Sequence, residues 1–99
     1  MNLLKQAKLM QDRMAALQND LKERIEEGTA GGGVVKVFVN GCREVMGVKI
    51  SPEAVDPDDV ETLEELVGAA MKNALEKAKE LEATEMRKAT GGLDLPGLF

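Results

Sequence analysis

Few residues in this 99-residue chain are equipped for covalent chemistry. Cys42 is the single cysteine, and the sequence contains no histidine. Without an imidazole, neither a Cys–His pair nor a Ser–His–Asp triad can be assembled within one chain. A lone cysteine excludes an intrachain disulfide and reads as a structural thiol in a reducing compartment. Gly31-Gly32-Gly33 has the composition of a phosphate cradle, but such a cradle must open into a helix N-terminus. Here the glycines open into the β-patterned run VVKVFV, so they read as a hinge. Asp56, Asp58, Asp59, Glu61, Glu64 and Glu65 lack the glycine-centred loop of a calcium site. Helix capping and a solvated face account for them. The expectation is a protein that is not an enzyme and uses no metal, cofactor or small-molecule substrate.

What remains is charge. The chain carries 13 basic and 18 acidic side chains, a net charge of −5, which opposes whole-molecule attraction to a polyanion. The distribution is uneven. Residues 1–24 hold five basic side chains (Lys5, Lys8, Arg13, Lys22 and Arg24) against three acidic ones (Asp12, Asp20 and Glu23). A second basic group, Lys72, Lys77, Lys79, Arg87 and Lys88, lies toward the C-terminal side. As surface residues these would form pairs such as Lys8–Asp12 at helical i,i+4 spacing. As a functional strip they would contact phosphates, fixing a protein on DNA with little base specificity. No zinc-finger or helix-turn-helix spacing points to major-groove readout.

The elements that must position these charges are two helices and a hairpin. Leu3, Ala7, Met10, Met14, Leu17 and Leu21 recur at spacings of four and three, an a/d seam that predicts a helix from residue 2 to about 27. Gly28 then reads as its C-terminal stop, and Thr29–Gly33 as the hinge. Asn40-Gly41 predicts a two-residue type I′ turn between Val34–Val39 and Arg43–Ile50. That turn would pair Val39 with Cys42, Val37 with Glu44 and Val35 with Met46, and place Val35, Val37, Val39, Met46 and Val48 on the core face. Gly47 marks a bulge or kink that would split the second strand. Asp56 as N-cap and Pro57 at the first helical position open a long second helix, whose apolar positions run from Val60 to Leu81 and which ends near Met86 or Ala89. Thr90-Gly91-Gly92 stops it. Residues 1–90 form one α-β-α domain, followed by an irregular tail, 91–99, rich in glycine and leucine.

Only two residues are aromatic, so the core must be aliphatic. A helix–hairpin–helix monomer of this size leaves much apolar surface wet, and a homodimer is expected, with Leu3, Met10, Met14, Leu17, Val35, Val37 and Val39 in the core or dimer interface. No signal peptide or membrane-length apolar run is visible, so a soluble cytoplasmic protein with no membrane contact is expected. Leu93, Leu95, Leu98 and Phe99 would be exposed in a dangling tail; folding back onto the dimer, or docking to another protein, would cover them.

The segments LLKQAKLMQDRM, EGTAGGGVVKVFVNGCREVMGVKISPE, DPDDVETLEELVGAAMKNALEKA and TGGLDLPGLF, in this order, resemble the bacterial YbaB/EbfC family of nucleoid-associated proteins. The resemblance implies an α+β fold: a helix, a short antiparallel sheet of two or three strands and a long helix, in two layers. It implies a tweezer-like homodimer that binds double-stranded DNA in the nucleoid, organises the chromosome, and influences gene expression or repair, with replication or repair proteins as further partners. The family's helical arms carry the proposed DNA contacts, so Lys5, Lys8 and Arg13 of the first helix and Arg87 and Lys88 of the second are the matching candidates. The alternative is an interaction module, an adaptor or prefoldin-like holdase, acting through the arms or the tail.

Overall fold

The computed structural model describes residues 2–89. The first helix, α1 (Leu3–Glu23), is capped by Asn2, whose side chain accepts the Leu4 N–H at 2.8 Å. It is shorter than its apolar seam predicts. Arg24 turns extended, and Ile25–Ala30 forms a strand, β1, not the last turn of the helix. Glu26 and Glu27 have good helical propensity, but the segment pairs in antiparallel register with Val35–Asn40, the second strand, β2. Tertiary pairing overrides local preference here.

Gly28 is therefore no helix stop. It lies in mid-strand, where its backbone presses against the second helix, α2 (Val60–Ala89): a Cβ at this position would fall 2.2 Å from the Ala70 carbonyl oxygen and 2.3 Å from the Ala74 nitrogen. The three following glycines form a tight turn between β1 and β2 in place of the expected hinge. All three adopt left-handed φ angles, +63°, +73° and +95°, a run that side chains with a Cβ strongly resist.

The third strand, β3 (Val45–Ile50), completes an antiparallel sheet in the order β1-β2-β3. Its register differs from the one a two-residue turn would set. The loop holds three residues, Gly41, Cys42 and Arg43: the Asn40 N–H donates to Glu44 O and the Arg43 N–H to Asn40 O, both at 3.0 Å. Arg43, at φ 64°, takes the left-handed position that closes three-residue hairpin loops. Val39 consequently faces Val45, Val37 faces Val48 and Val35 faces Ile50. A register shift leaves Met46 unmatched beside Gly47, a bulge where the glycine predicts one, although the strand stays continuous.

Asp56-Pro57-Asp58-Asp59 is a turn that precedes α2, so the helix starts three residues later than expected. The Asp56 carboxylate accepts the Asp58 N–H at 2.9 Å, and Asp59 becomes the cap, taking the Thr62 hydroxyl at 2.7 Å. From Val60 the helix lies across β1 and β2 and leaves β3 uncovered. Its fully buried residues, Ala70, Ala74 and Ala78, recur every four positions and meet Val35, Val37 and Val39. Asn73 and Lys77, beside them, satisfy the outer edge of β1: Asn73 Oδ1 accepts the Thr29 N–H at 3.1 Å, and Lys77 Nζ donates to Glu27 O at 2.8 Å.

Val35, Val37 and Val39 thus form the core as expected. Met46 and Val48 do not join it, because no helix reaches β3; Val48 is 47% exposed. Replacing Gly28 with alanine should destabilise the protein by about 3 kcal/mol or more, since the clashing atoms are helix backbone and cannot rotate away. Chemical denaturation of G28A against the wild type measures this loss.

Candidate nucleic-acid interface

α1 is joined to the rest of the fold through its C-terminal half. The hairpin loop grips it there. The Gly41 N–H donates to Leu21 O at 2.8 Å and is shared with Arg24 O at 3.0 Å, satisfying carbonyls that a helix end leaves orphaned. Cys42 extends the grip, its Sγ lying 3.4 Å from Gln18 Oε1. The loop is held in shape by Asn40, which is 2% exposed and fully bonded. Its Oδ1 accepts the N–H groups of Cys42 at 3.0 Å and Glu44 at 2.9 Å, and its Nδ2 donates to Glu44 Oε1 at 2.8 Å. Leu21 and Leu17 are buried beside this anchor, Met14 is half-buried, and the helix beyond is bare, with Met10 38% and Leu3 81% exposed.

The result is an arm. The described residues measure 67 × 21 × 16 Å, with a radius of gyration of 18.2 Å, against about 13 Å for a compact domain of this length. Lys5, Lys8 and Arg13 are exposed, Lys5 and Lys8 on the bare N-terminal part of α1 and Arg13 where the end of α2 still flanks the helix. The expected Lys8–Asp12 pair is not formed, and no ion pair joins the three cations to another described residue. Arg87 and Lys88 are exposed in the last turn of α2. Lys88 and Arg13 line one groove of about 410 Å³ between the two helices, with Leu17, Asp20 and Glu85 among its other walls. The two groups of candidate residues, 74 or more positions apart in sequence, are therefore brought to the same end of the molecule.

They are not equally free. Lys88 Nζ lies 3.3 Å from Glu85 Oε1, which also meets Arg24 at 3.8 Å, so this carboxylate ties the root of α1 to α2. Arg43 is engaged with Glu82 at 3.6 Å, and Lys77 with the edge of β1. These cations serve the fold. Exposed pairs of this kind contribute little stability each, and they cancel much of the local positive charge.

A further basic pair was hidden by the wrong register. With the loop at three residues, Lys36 faces Lys49 across β2 and β3, on the sheet face turned away from α2. Like charges directly opposite are unfavourable; Glu27, 3.7 Å from Lys36, offsets the repulsion in part. The signal that would have revealed them is the alternation of Val35, Val37 and Val39, matched against Val48 and Ile50 instead of Met46.

Residues 1–93 match the model of the YbaB/EbfC DNA-binding family. A nucleoid-associated protein of Caldanaerobacter subterraneus is 51% identical over 98 residues, spanning 99% of this chain and 88% of the relative. A second, from Clostridium novyi, is 49% identical over 98 residues, with 99% and 86% covered. The fold resembles the crystal structure of an uncharacterised protein from Helicobacter pylori, with a TM-score of 0.78 at 21% identity, over 92% of this chain and 99% of that one. No helix among the described residues is long and apolar enough to cross a membrane.

Because Asn40 holds the loop that anchors the arm, N40A should cost about 2 kcal/mol or more. It removes three hydrogen bonds and leaves two backbone N–H groups without their acceptor. Equilibrium denaturation measures the cost, and amide exchange at Leu21 and Arg24 should accelerate with it.

Proposed function

The chain belongs to the YbaB/EbfC DNA-binding family, and on that footing we propose that it binds duplex DNA as a homodimer in the nucleoid, through the cations of its projecting α1 arms. The observation that carries this reading is the placement of Lys5, Lys8 and Arg13: exposed, on a helix that leaves the body of the protein, and paired with no other described residue. An arm of this kind separates its positive charge from the acidic remainder of the chain. At physiological salt the Debye length is about 8 Å, so phosphates beside the arm are screened from most of the distant carboxylates. A net charge of −5 then coexists with local attraction to DNA. The relatives named as nucleoid-associated proteins support the same location and partner. Chromosome organisation, gene regulation and a link to repair are the roles that such binding would serve.

The dimer follows from what the chain leaves uncovered. Val48 is 47% and Ile50 38% exposed, although both lie on the core face of the sheet opposite buried valines. Val45 and Met46 extend the patch along β3. Covering each large aliphatic side chain is worth about 1.5–3 kcal/mol when burial is complete. A second copy that brings its own β3 against this strand would bury both patches at once and carry two arms, doubling the number of phosphate contacts.

Reversing the three arm charges together, K5E/K8E/R13E, should abolish the gel shift of a duplex while leaving the mass of the dimer unchanged. Undiminished DNA affinity in that variant would overturn the assignment. In the complementary variant, V48E/I50E, the mass in solution should fall to that of a monomer. Duplex affinity should fall with it, because each particle then carries one arm.

A further inference from the structure

The sheet face turned away from α2 presents Lys36, Phe38, Gly47 and Lys49 on β2 and β3. Lys36 and Lys49 stand directly opposite each other, an arrangement that costs stability if nothing anionic joins them. Side chains so placed leave the sheet with Cβ atoms about 5 Å apart, so both can reach one ligand. Lys36 has a single partner, Glu27, at 3.7 Å, and both side chains are open to solvent. A pair of this kind holds weakly and yields to a stronger anion. Lys49 is exposed and makes no ion pair or hydrogen bond with any described residue.

The two lysines do not stand on a flat surface. With Gly33, Ile50, Ser51 and Pro52 they line a cavity of about 300 Å³ at the end of the sheet, beside the glycine turn. That is the lower end of the range for small-molecule sites, about 300–1,000 Å³. Ser51 is half-buried there. Its N–H donates to Val34 O at 2.8 Å, and its hydroxyl is bonded to no described residue. Gly33 leaves the mouth clear, with open space where a Cβ would stand. Two cations and a hydroxyl therefore share one cavity, and no carboxylate lines it.

We propose that this cavity binds the phosphate group of a small phosphomonoester, with Lys36, Lys49 and the Ser51 hydroxyl as its donors. A phosphomonoester carries a charge of about −1.5 to −2 at neutral pH and three strong acceptor oxygens. It matches two cations and three donors at once. A DNA backbone phosphate carries one charge and must pass its chain out of the cavity on two sides, so it matches less well. Free phosphate shares the chemistry but leaves most of the volume unfilled, which favours an attached organic group. The site is independent of the arms and of the DNA reading. Lys36 lies near the start of β2, whereas the loop that grips α1 follows the other end of that strand, at Asn40. The proposed dimer contact uses the other face of β3.

Heteronuclear NMR of the whole protein tests the site, with inorganic phosphate and a nucleoside monophosphate as probes and chloride at equal ionic strength as the control. The monophosphate should shift the amides of Gly33, Lys36, Lys49 and Ser51 saturably, and inorganic phosphate should do so more weakly. K49A should bind the monophosphate about tenfold less tightly or worse, as expected for one lost hydrogen bond to a charged group, and S51A should lose less. K5E/K8E/R13E should bind it as the wild type does, and K36A/K49A should keep its duplex affinity. No shift at these amides, or equal affinity in K49A, would overturn the proposal. Inorganic phosphate binding as tightly as the monophosphate would overturn the assignment to an ester. A loss of duplex affinity in K36A/K49A would overturn it too, by assigning the pair to the DNA backbone.

Discussion

The close approach of β1 to α2 is the contact on which the rest of the molecule depends. At Gly28 the strand backbone lies directly against the backbone of α2 between Ala70 and Ala74, at a distance that leaves no room for a methyl group. Alanines at 70, 74 and 78 keep that face of the helix flat, and Val35, Val37 and Val39 fill the space beside it. Because the contact draws α2 over β1 and β2, the outer edge of β1 is sealed by Asn73 and Lys77, and β3 is left without a helical cover. One small-residue contact thus decides both where the core lies and which strand is left uncovered.

The same economy governs the arm. A core of valines and alanines is too small to hold two long helices along their full length, so α1 is fastened at one end. Leu21 enters the core region, Gly41 ties off the helix carbonyls, and Asn40 fixes the loop that makes the tie. Beyond that anchor the helix is free to carry charge away from the body. The cations nearer the body, Arg24, Arg43 and Lys77, are engaged with carboxylates or strand carbonyls, whereas Lys5, Lys8 and Arg13 are not. The proposed DNA contacts are those that the fold itself does not use.

Much of this was legible in the sequence. The order helix–sheet–helix, the buried valines and the bulge at Gly47 follow from periodicity and glycine chemistry. The misreadings have physical causes. Glu26-Glu27-Gly28 has the local character of a helix end, and only the approach of α2, more than forty residues away in sequence, makes Gly28 a strand position. Asn40-Gly41 carries the strongest signal for a two-residue turn, yet Asn40 is buried and uses its side chain to build a longer loop, with Arg43 in the strained position. Asp56 lost the helix cap to Asp59 because its own carboxylate closed a turn first. The candidate cations lie exposed on the two helices, but which of them the fold employs depends on Glu82 and Glu85, whose partners sequence spacing does not reveal. Residues 90–99, including the tail, lie outside the described residues, as does Met1.

The central claim is that the arms hold DNA by its phosphates. Fluorescence anisotropy of a labelled duplex, titrated with the protein across a salt series, tests it most directly. Three contacts on each of two arms predict a linear fall of log Kobs with log salt concentration, with a slope of about −5. Binding that is insensitive to salt, or absent even at low ionic strength, would contradict the account.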